Sequence, residues 1–335
     1  NGSANLNYTL KLDEKGKELS FNSDYLQYGS EINQSLLSST YAPDGSFLSK
    51  SNLVSNLPAT IKITTAKADF TLPLKNKAKF EAGAKASFIR TGNIANFYDE
   101  ENNTLSPNYT FSNSFNYREN INAAYLNYNF SKNKLSVQTG LRFENTNISG
   151  YRYGNPTQKD SSFSRPYNNL FPTVYLMYQL DSAAKNVLSF SYGRRIDRPN
   201  YQSMNPFTYP LDRFTLYSGN PYLQPTFSNN FEIAHTWKNS ITSTLHYSYV
   251  KNVISETIEQ QSNTFYSRPG NIGSQHSYGI SVNGSRQMKK WWILQLYTAV
   301  MQNRFTSLLY GQDLNNSGAY WYVAPTNQFT IGKTW

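Results

Sequence analysis

Apolar residues recur at every second position through most readable stretches of the chain. In KFEAGAKASF, Phe80, Ala82, Ala84, Ala86 and Phe88 share one face, and Glu81, Gly83, Lys85 and Ser87 the other. That period of two is the mark of an extended strand. LSVQTGLRFEN sets Leu135, Val137, Leu141 and Phe143 opposite Ser136, Gln138, Gly140, Arg142 and Glu144. SYGISVNGS sets Tyr278, Ile280 and Val282 against Gly279, Ser281 and Asn283. WWILQLYTAV gives Trp292, Leu294, Leu296 and Val300, and QFTIGKTW gives Phe329, Ile331 and Trp335. No stretch carries a sustained 3.6-residue period with caps, so no helix longer than a turn or two is expected.

Between the strands, short and long connections alternate without exception. Short polar turns fall at DEKGK (from Asp13), KNK (from Lys75), SKNK (from Ser131), DSAAKN (from Asp181), KNS (from Lys238) and QMKKW (from Gln287). Long, irregular connections are expected at 27–59, 90–117, 147–169, 193–226, 258–275 and 304–326. A sandwich gives no reason for such a rule, whereas an outer-membrane barrel has short periplasmic turns at one rim and long extracellular loops at the other. Strands of about 9 to 12 residues match a tilted bilayer crossing better than the soluble norm of about 5 or 6. Tyr125, Tyr128, Tyr247, Tyr249, Trp237, Trp291 and Trp292 near strand ends are assigned to interfacial girdles.

The count comes to about thirteen strands. With short turns periplasmic, the first strand, near residues 5–12, runs from outside inward, whereas complete bacterial barrels have even strand numbers. The fold expected is therefore all-β: an antiparallel up-and-down transmembrane β-barrel, present as a segment of a larger one. Residues 1–335 form a single barrel segment in this reading, with earlier strands and a plug domain outside it. FTIGKTW ends as a terminal outer-membrane strand would, and also as one further down-going strand would.

Composition agrees. Of 335 residues, 16% are aromatic, including 27 Tyr and 20 Phe, while the mean hydropathy is −0.62. Aromatic and β-branched side chains fit a pleated surface. No apolar run reaches the roughly 20 residues of a spanning helix, a test that leaves β-barrels open. The absence of cysteine removes disulfides, thiol nucleophiles and cysteine metal sites. A net charge of +10 admits nucleic acid or an anionic membrane surface as partner. The basic residues are scattered beyond pairs such as Arg194 and Arg195, so a nucleic-acid partner is not expected.

Residues 191–225, SYGRRIDRPNYQSMNPFTYPLDRFTLYSGNPYLQP, break the alternation. Pro199, Pro206, Pro210, Pro221 and Pro225 reduce the entropy lost on ordering, and Asn205 and Asn220 before proline initiate turns. Aromatic rings including Tyr201 and Phe207 supply rigid apolar surface with polar tips. The run YGRRIDRPNYQSMNPF, followed by YSGNPYLQP and NNFEIAHTW, resembles the signature of the TonB-dependent receptor-like outer-membrane β-barrel family common in Bacteroidetes. The positions that carry it are Arg194, Arg195, Arg198, Pro199, Asn205, Pro206, Phe207, Gly219, Asn220, Pro221, Leu223, Pro225 and Glu232. GLRFENT, residues 140–146, resembles a second recurrent element. The resemblance implies a barrel of 22 strands when complete, filled by an N-terminal plug, energised through TonB and taking up a nutrient ligand across the bacterial outer membrane.

Arg194, Arg195, Arg198, Tyr201, Asn205, Phe207, Arg213 and Asn220 form the candidate ligand-binding set of this extracellular loop. Arginine forks suit a carboxylate or phosphate; the alternative is that they stitch the loop to its neighbours. Glu81, Lys85, Arg142, Glu144, Glu232 and His246 fall on polar faces and are expected to line the lumen. His235, His246 and His276 stand without HxH, HxxxH or HExxH spacing, no GxSxG elbow or Walker pattern occurs, and Glu100 with Glu101 reads as a solvated loop charge. No catalytic residue, metal or cofactor is expected, and the chain is not read as an enzyme. Its partners are then outer-membrane lipid, the nutrient ligand and the TonB complex. The rival reading is a soluble or surface-attached all-β carbohydrate-binding module, which requires the apolar faces to meet in a dry core.

Overall fold

The computed structural model describes residues 1–309 and 311–332. They form one sheet whose backbone is an antiparallel meander of thirteen long strands. These are β1 (Gly2–Lys11), β2 (Glu18–Tyr41), β3 (Phe47–Pro73), β4 (Lys79–Glu101), β6 (Asn113–Lys132), β7 (Leu135–Tyr153), β8 (Ser161–Gln179), β9 (Asn186–Asp197), β12 (Thr226–Trp237), β13 (Ile241–Gln261), β14 (Thr264–Lys289), β15 (Trp292–Leu309) and β16 (Gln312–Phe329). Three short strands, β5 (Thr104–Pro107), β10 (Thr208–Pro210) and β11 (Thr215–Ser218), attach to this frame. The single α-helix among the described residues is one turn, α1 (Tyr201–Met204).

All six short turns lie where the sequence places them. The long connections do not: most are ladder. β2 and β3 stay in register from Glu18–Thr71 up to Thr40–Ser49 and close over 42–46, and β13 and β14 pair up to Gln261–Thr264. Strand lengths therefore run from 10 to 27 residues rather than 9 to 12. Above the membrane no apolar face is needed, because cross-strand pairing satisfies the backbone N–H and C=O groups. Serine, threonine and asparagine serve there. The tips carry the chemistry of tight turns: Gly45 at φ 85°, and Asn102 and Asn103 at φ 50° and 62°. Glu100 and Glu101 lie inside β4 rather than in a loop. At the other end, β16 stops at Phe329, so Ile331 lies beyond the strand, and Trp335 lies outside the described residues.

Alternation sorts the side chains into two faces. One carries Leu6, Tyr8 and Leu10; Phe80, Ala82, Ala84, Ala86 and Phe88; Leu126; Leu141 and Phe143; Ile233; Leu245; Tyr278 and Ile280; and Val300. Most of these side chains are exposed: Leu126 by 52%, Leu141 by 47%, Leu245 by 55% and Val300 by 54%. An apolar face turned outward on strand after strand is a lipid-facing belt, and it contradicts the dry core of the sandwich reading. On β4 the unbroken belt spans Phe80 to Phe88, about 26 Å along the strand at about 3.3 Å per residue, or roughly 20 Å of height at a tilt of about 40°, most of the apolar band of about 25 Å in such barrels. Tyr128, Tyr247 and Tyr249 share this face, while Tyr125 belongs to the opposite one, against its girdle assignment.

The sheet forks at β14. Below Gly273 its neighbour is β15, paired from Ser274–Thr306 downward; above, β11 runs parallel to it, Thr215 beside Phe265. Gly273 sits at φ 148°, and an ideal Cβ there would fall 2.1 Å from the Thr306 carbonyl oxygen. Only glycine admits that approach.

Candidate functional site

β11 reaches β14 because the 198–225 segment folds back over the polar face. The chain leaves β9 after Asp197, and the Asn200 side chain accepts a hydrogen bond from Ser203 N at 2.7 Å, capping α1. β10 and β11 then form a small hairpin. Its turn is fixed by Asp212, whose Oδ1 accepts from the backbone N–H groups of Phe214 and Thr215 at 2.7 and 2.8 Å. Those donors hold the Asp212 carboxyl below the usual carboxylate range. Asn220 ties the return: its N–H donates to Ser203 O at 2.7 Å and its amide to Pro269 O at 3.1 Å.

Burial concentrates under this strap. Met204 and Leu223, each 1% exposed, pack with Phe115, Tyr117 and Ile148 of β6 and β7, and Phe163, Tyr167, Tyr201 and Ile254 close around them. Phe207 lies 6.0 Å from Phe97 of β4, centroid to centroid. The strap thus touches strands from β4 to β14. Arg165 on β8 clamps it by donating to the carbonyls of Pro221 and Leu223. Asn271 on β14 does the same from the far side, donating to Gln224 O at 2.9 Å and accepting from Gln224 N at 2.7 Å.

Arg198 anchors the near end. Its guanidinium lies between two glutamates, with Nη2 on Glu144 and Nε 3.4 Å from Glu119, all three largely shielded from solvent. Arg142 shares Glu144 from the other side, and the Tyr117 hydroxyl donates to Glu119 at 3.3 Å. The chain of contacts continues down the polar face. The Arg142 guanidinium lies 5.4 Å from the Tyr125 ring centroid, the Tyr125 hydroxyl donates to Asp69, and Asp69 pairs with Lys67 at 2.8 Å. Buried charge of both signs tolerates this setting because each group has a partner.

The residues of the candidate binding set separate. Arg194 turns to the belt face, its guanidinium 5.0 Å from the Phe227 ring centroid. Arg195 is exposed on the polar face, Arg213 is exposed at the β10–β11 tip beside Phe214, and Arg198 is in the ion-pair network. Tyr201 and Phe207 pack under the strap, Asn220 ties its backbone, and the Asn205 Oδ1 atom is buried with no hydrogen-bond partner among the described residues. Glu81, Lys85, Arg142, Glu144, Glu232 and His246 all occupy the face opposite the belt. Glu81 pairs with Lys79 at 2.7 Å. His246 faces Glu232 through Nδ1 at 3.2 Å and Ser281 through Nε2 at 2.7 Å. This pair borders a cleft of about 340 Å³ that Met301 and Tyr320 also line. Sequence reasoning missed Glu119, Arg165 and Asn271, which lie on ladder strands far along the chain from the segment they hold.

No curated relative matches the chain at the sequence level. Solved structures match in fold. The copper transporter OprC aligns with a TM-score of 0.62 at 9% identity, covering 99% of this chain and 57% of its own. The ferric yersiniabactin uptake receptor FyuA from Yersinia pestis aligns at 0.56 and 10%, covering 98% and 53%. The pyoverdine outer membrane receptor FpvA from Pseudomonas aeruginosa PAO1 aligns at 0.55 and 14%, covering 99% and 55%. The chain spans a little over half the length of these structures. The model of the outer membrane protein beta-barrel family matches residues 10–335. With its outward apolar belt and antiparallel meander, this chain belongs to that family and resides in the bacterial outer membrane.

Proposed function

We propose that the chain is the barrel portion of a TonB-dependent receptor, of the kind its 194–225 signature resembles in Bacteroidetes, that takes up a nutrient ligand. The observation that carries this reading is the strap across the polar face, fixed by Arg198 between Glu119 and Glu144. A barrel wall needs no such element for its own stability, whereas a lumen that must stay closed at rest and admit cargo under energy input does. Neighbours in fold that are a copper transporter and a ferric yersiniabactin uptake receptor support the same reading. The face opposite the belt is then the lumen, with Glu81, Lys85, Arg142, Glu144, Glu232 and His246 along it, and a plug contacting TonB would be supplied from outside residues 1–335. Arg195 and Arg213 are the exposed cations that meet an anionic ligand, while Arg198 serves the strap. The protein acts by binding and passage, not by catalysis.

The test compares a strain lacking the gene, a strain lacking TonB and their parent, with ferric chelates, haem, copper, peptides and glycans each as limiting nutrient. One nutrient on which the first two fail alike is expected. Parental growth of the gene-deleted strain on every nutrient, or a defect independent of TonB, rejects the reading.

A further inference from the structure

Three cations stand in one cross-strand row on the belt face. Lys62 of β3 is directly opposite Arg90 of β4, and Arg90 is directly opposite Arg118 of β6. Adjacent strands are about 4.8 Å apart, so the three side chains issue from a strip about 10 Å wide. All three are exposed, and none has a carboxylate within 4.0 Å among the described residues. Lys67, on the polar face of the same β3, pairs with Asp69 at 2.8 Å. The one carboxylate that β2 turns outward nearby, Glu31, accepts from Asn56 instead. Like charges directly opposite one another oppose strand pairing, so a bound anion is what this row is built to receive.

Position selects the anion. Arg90 is two residues above Phe88, which closes the unbroken alternation of apolar residues on β4, on the side of the long hairpins. An occupant there lies at the headgroup level of the leaflet, beside hydrocarbon. Two clefts meet at Arg118. One, of about 240 Å³, is bordered by Lys62, Arg90 and Arg118. The other, of about 600 Å³, is bordered by Tyr151, Tyr153, Ser149 and Ser162. The Tyr151 and Tyr153 rings meet edge to face at 4.8 Å, and the Tyr153 hydroxyl accepts from Asn116 at 2.9 Å. Cations beside tyrosine faces and hydroxyls suit a phosphate linked to a sugar.

We infer that Lys62, Arg90 and Arg118 bind the phosphate of a membrane glycolipid headgroup on the outside of the barrel, with its sugar seated against Tyr151 and Tyr153. This surface is separate from the lumen and from any cargo passing through it.

The experiment uses the full-length protein reconstituted in phosphatidylcholine vesicles. The vesicles are doped with a phosphorylated glucosamine lipid, with its dephosphorylated counterpart, or with phosphatidylglycerol. Lipid retained after detergent extraction is read by native mass spectrometry. The phosphorylated glycolipid should be retained over its dephosphorylated form. Lys62→Gln, Arg90→Gln and Arg118→Gln should each reduce retention about fivefold, and the triple variant by at least about fiftyfold, at about 1 kcal/mol per cation near a charged surface. Lys251→Gln, which removes an outward cation from β13, should leave retention unchanged. Tyr153→Ser should weaken the glycolipid and spare phosphatidylglycerol. Heat-modifiable migration of every variant shows that the barrel is folded. Equal retention by the triple variant and the parent overturns the proposal. So does displacement of the lipid by free inorganic phosphate, which would make the row a site for soluble anions, or retention of an acidic protein in place of lipid.

Discussion

The Tyr125 ring of β6 lies across Gly83 of β4, so close that an ideal Cβ at Gly83 would fall 2.4 Å from it. The missing side chain lets the phenol pass over β4 and donate to Asp69 on β3. Gly83→Ala is expected to cost about 1–3 kcal/mol by overpacking, measured by urea unfolding of the reconstituted barrel. In a Tyr125→Ala background the same glycine substitution should cost little, because nothing remains for the methyl to meet. Additive losses in the two variants would show that the ring does not depend on this gap.

Arg198 is the one cation that both Glu119 and Glu144 touch. Arg198→Ala leaves two shielded carboxylates with lost charge compensation, a change expected to destabilise the strap by about 3–5 kcal/mol. Limited trypsin digestion should then cut within 198–225, at Arg213, while heat-modifiable migration of the wall persists.

Leu223 is nearly inaccessible and fills the cluster formed by Met204, Phe115 and Ile148. Leu223→Ala should cost about 2–5 kcal/mol and should also loosen the strap enough for trypsin to cut after Arg213. Tyr222→Ala, one residue away and 78% exposed, should do neither.

Leu141 and Lys85 test the two faces directly. Leu141→Arg places a charge in the belt and is expected to cost about 2–4 kcal/mol of folding stability in vesicles. Lys85→Gln, on the opposite face, should stay within about 0.5 kcal/mol of the parent.

Asp212 caps the β10–β11 turn while ionised. Its carboxyl is depressed in the folded state, so the cap is fully present above the unfolded value of about 3.9. It is lost as pH falls through the lower folded value. The amide shifts of Phe214 and Thr215 should therefore be constant from neutral pH to about 4 and change only in stronger acid. Asp212→Ala should show the altered shifts at every pH.

The faces of the wall were legible because one rule, period two, governs every membrane crossing, and lipid enforces it on each strand independently. Phe80 to Phe88 and Leu135 to Phe143 could be assigned with no knowledge of their neighbours. The hairpin extensions were hidden because above the belt no solvent asymmetry writes a pattern, although Asp44–Gly45 and Asn102–Asn103 marked their tips. The strap's anchors were hidden for a different reason. Glu119 and Arg165 meet 198–225 only after the sheet has curved, and nothing local distinguishes Glu119 from Glu81, which pairs with its own strand neighbour Lys79. Arg194 and Arg195 looked equivalent as adjacent cations, yet alternation sends them to opposite sides.

The change of partner at Gly273 splits the labour of β14 along its length. Its lower half answers to lipid and its upper half to a segment that departs from β9 and returns as β12. Residues can be inserted, deleted or exchanged in that segment without disturbing a single contact with hydrocarbon. The face opposite the belt can thereby change its cover while the footing of the wall in the bilayer remains the same.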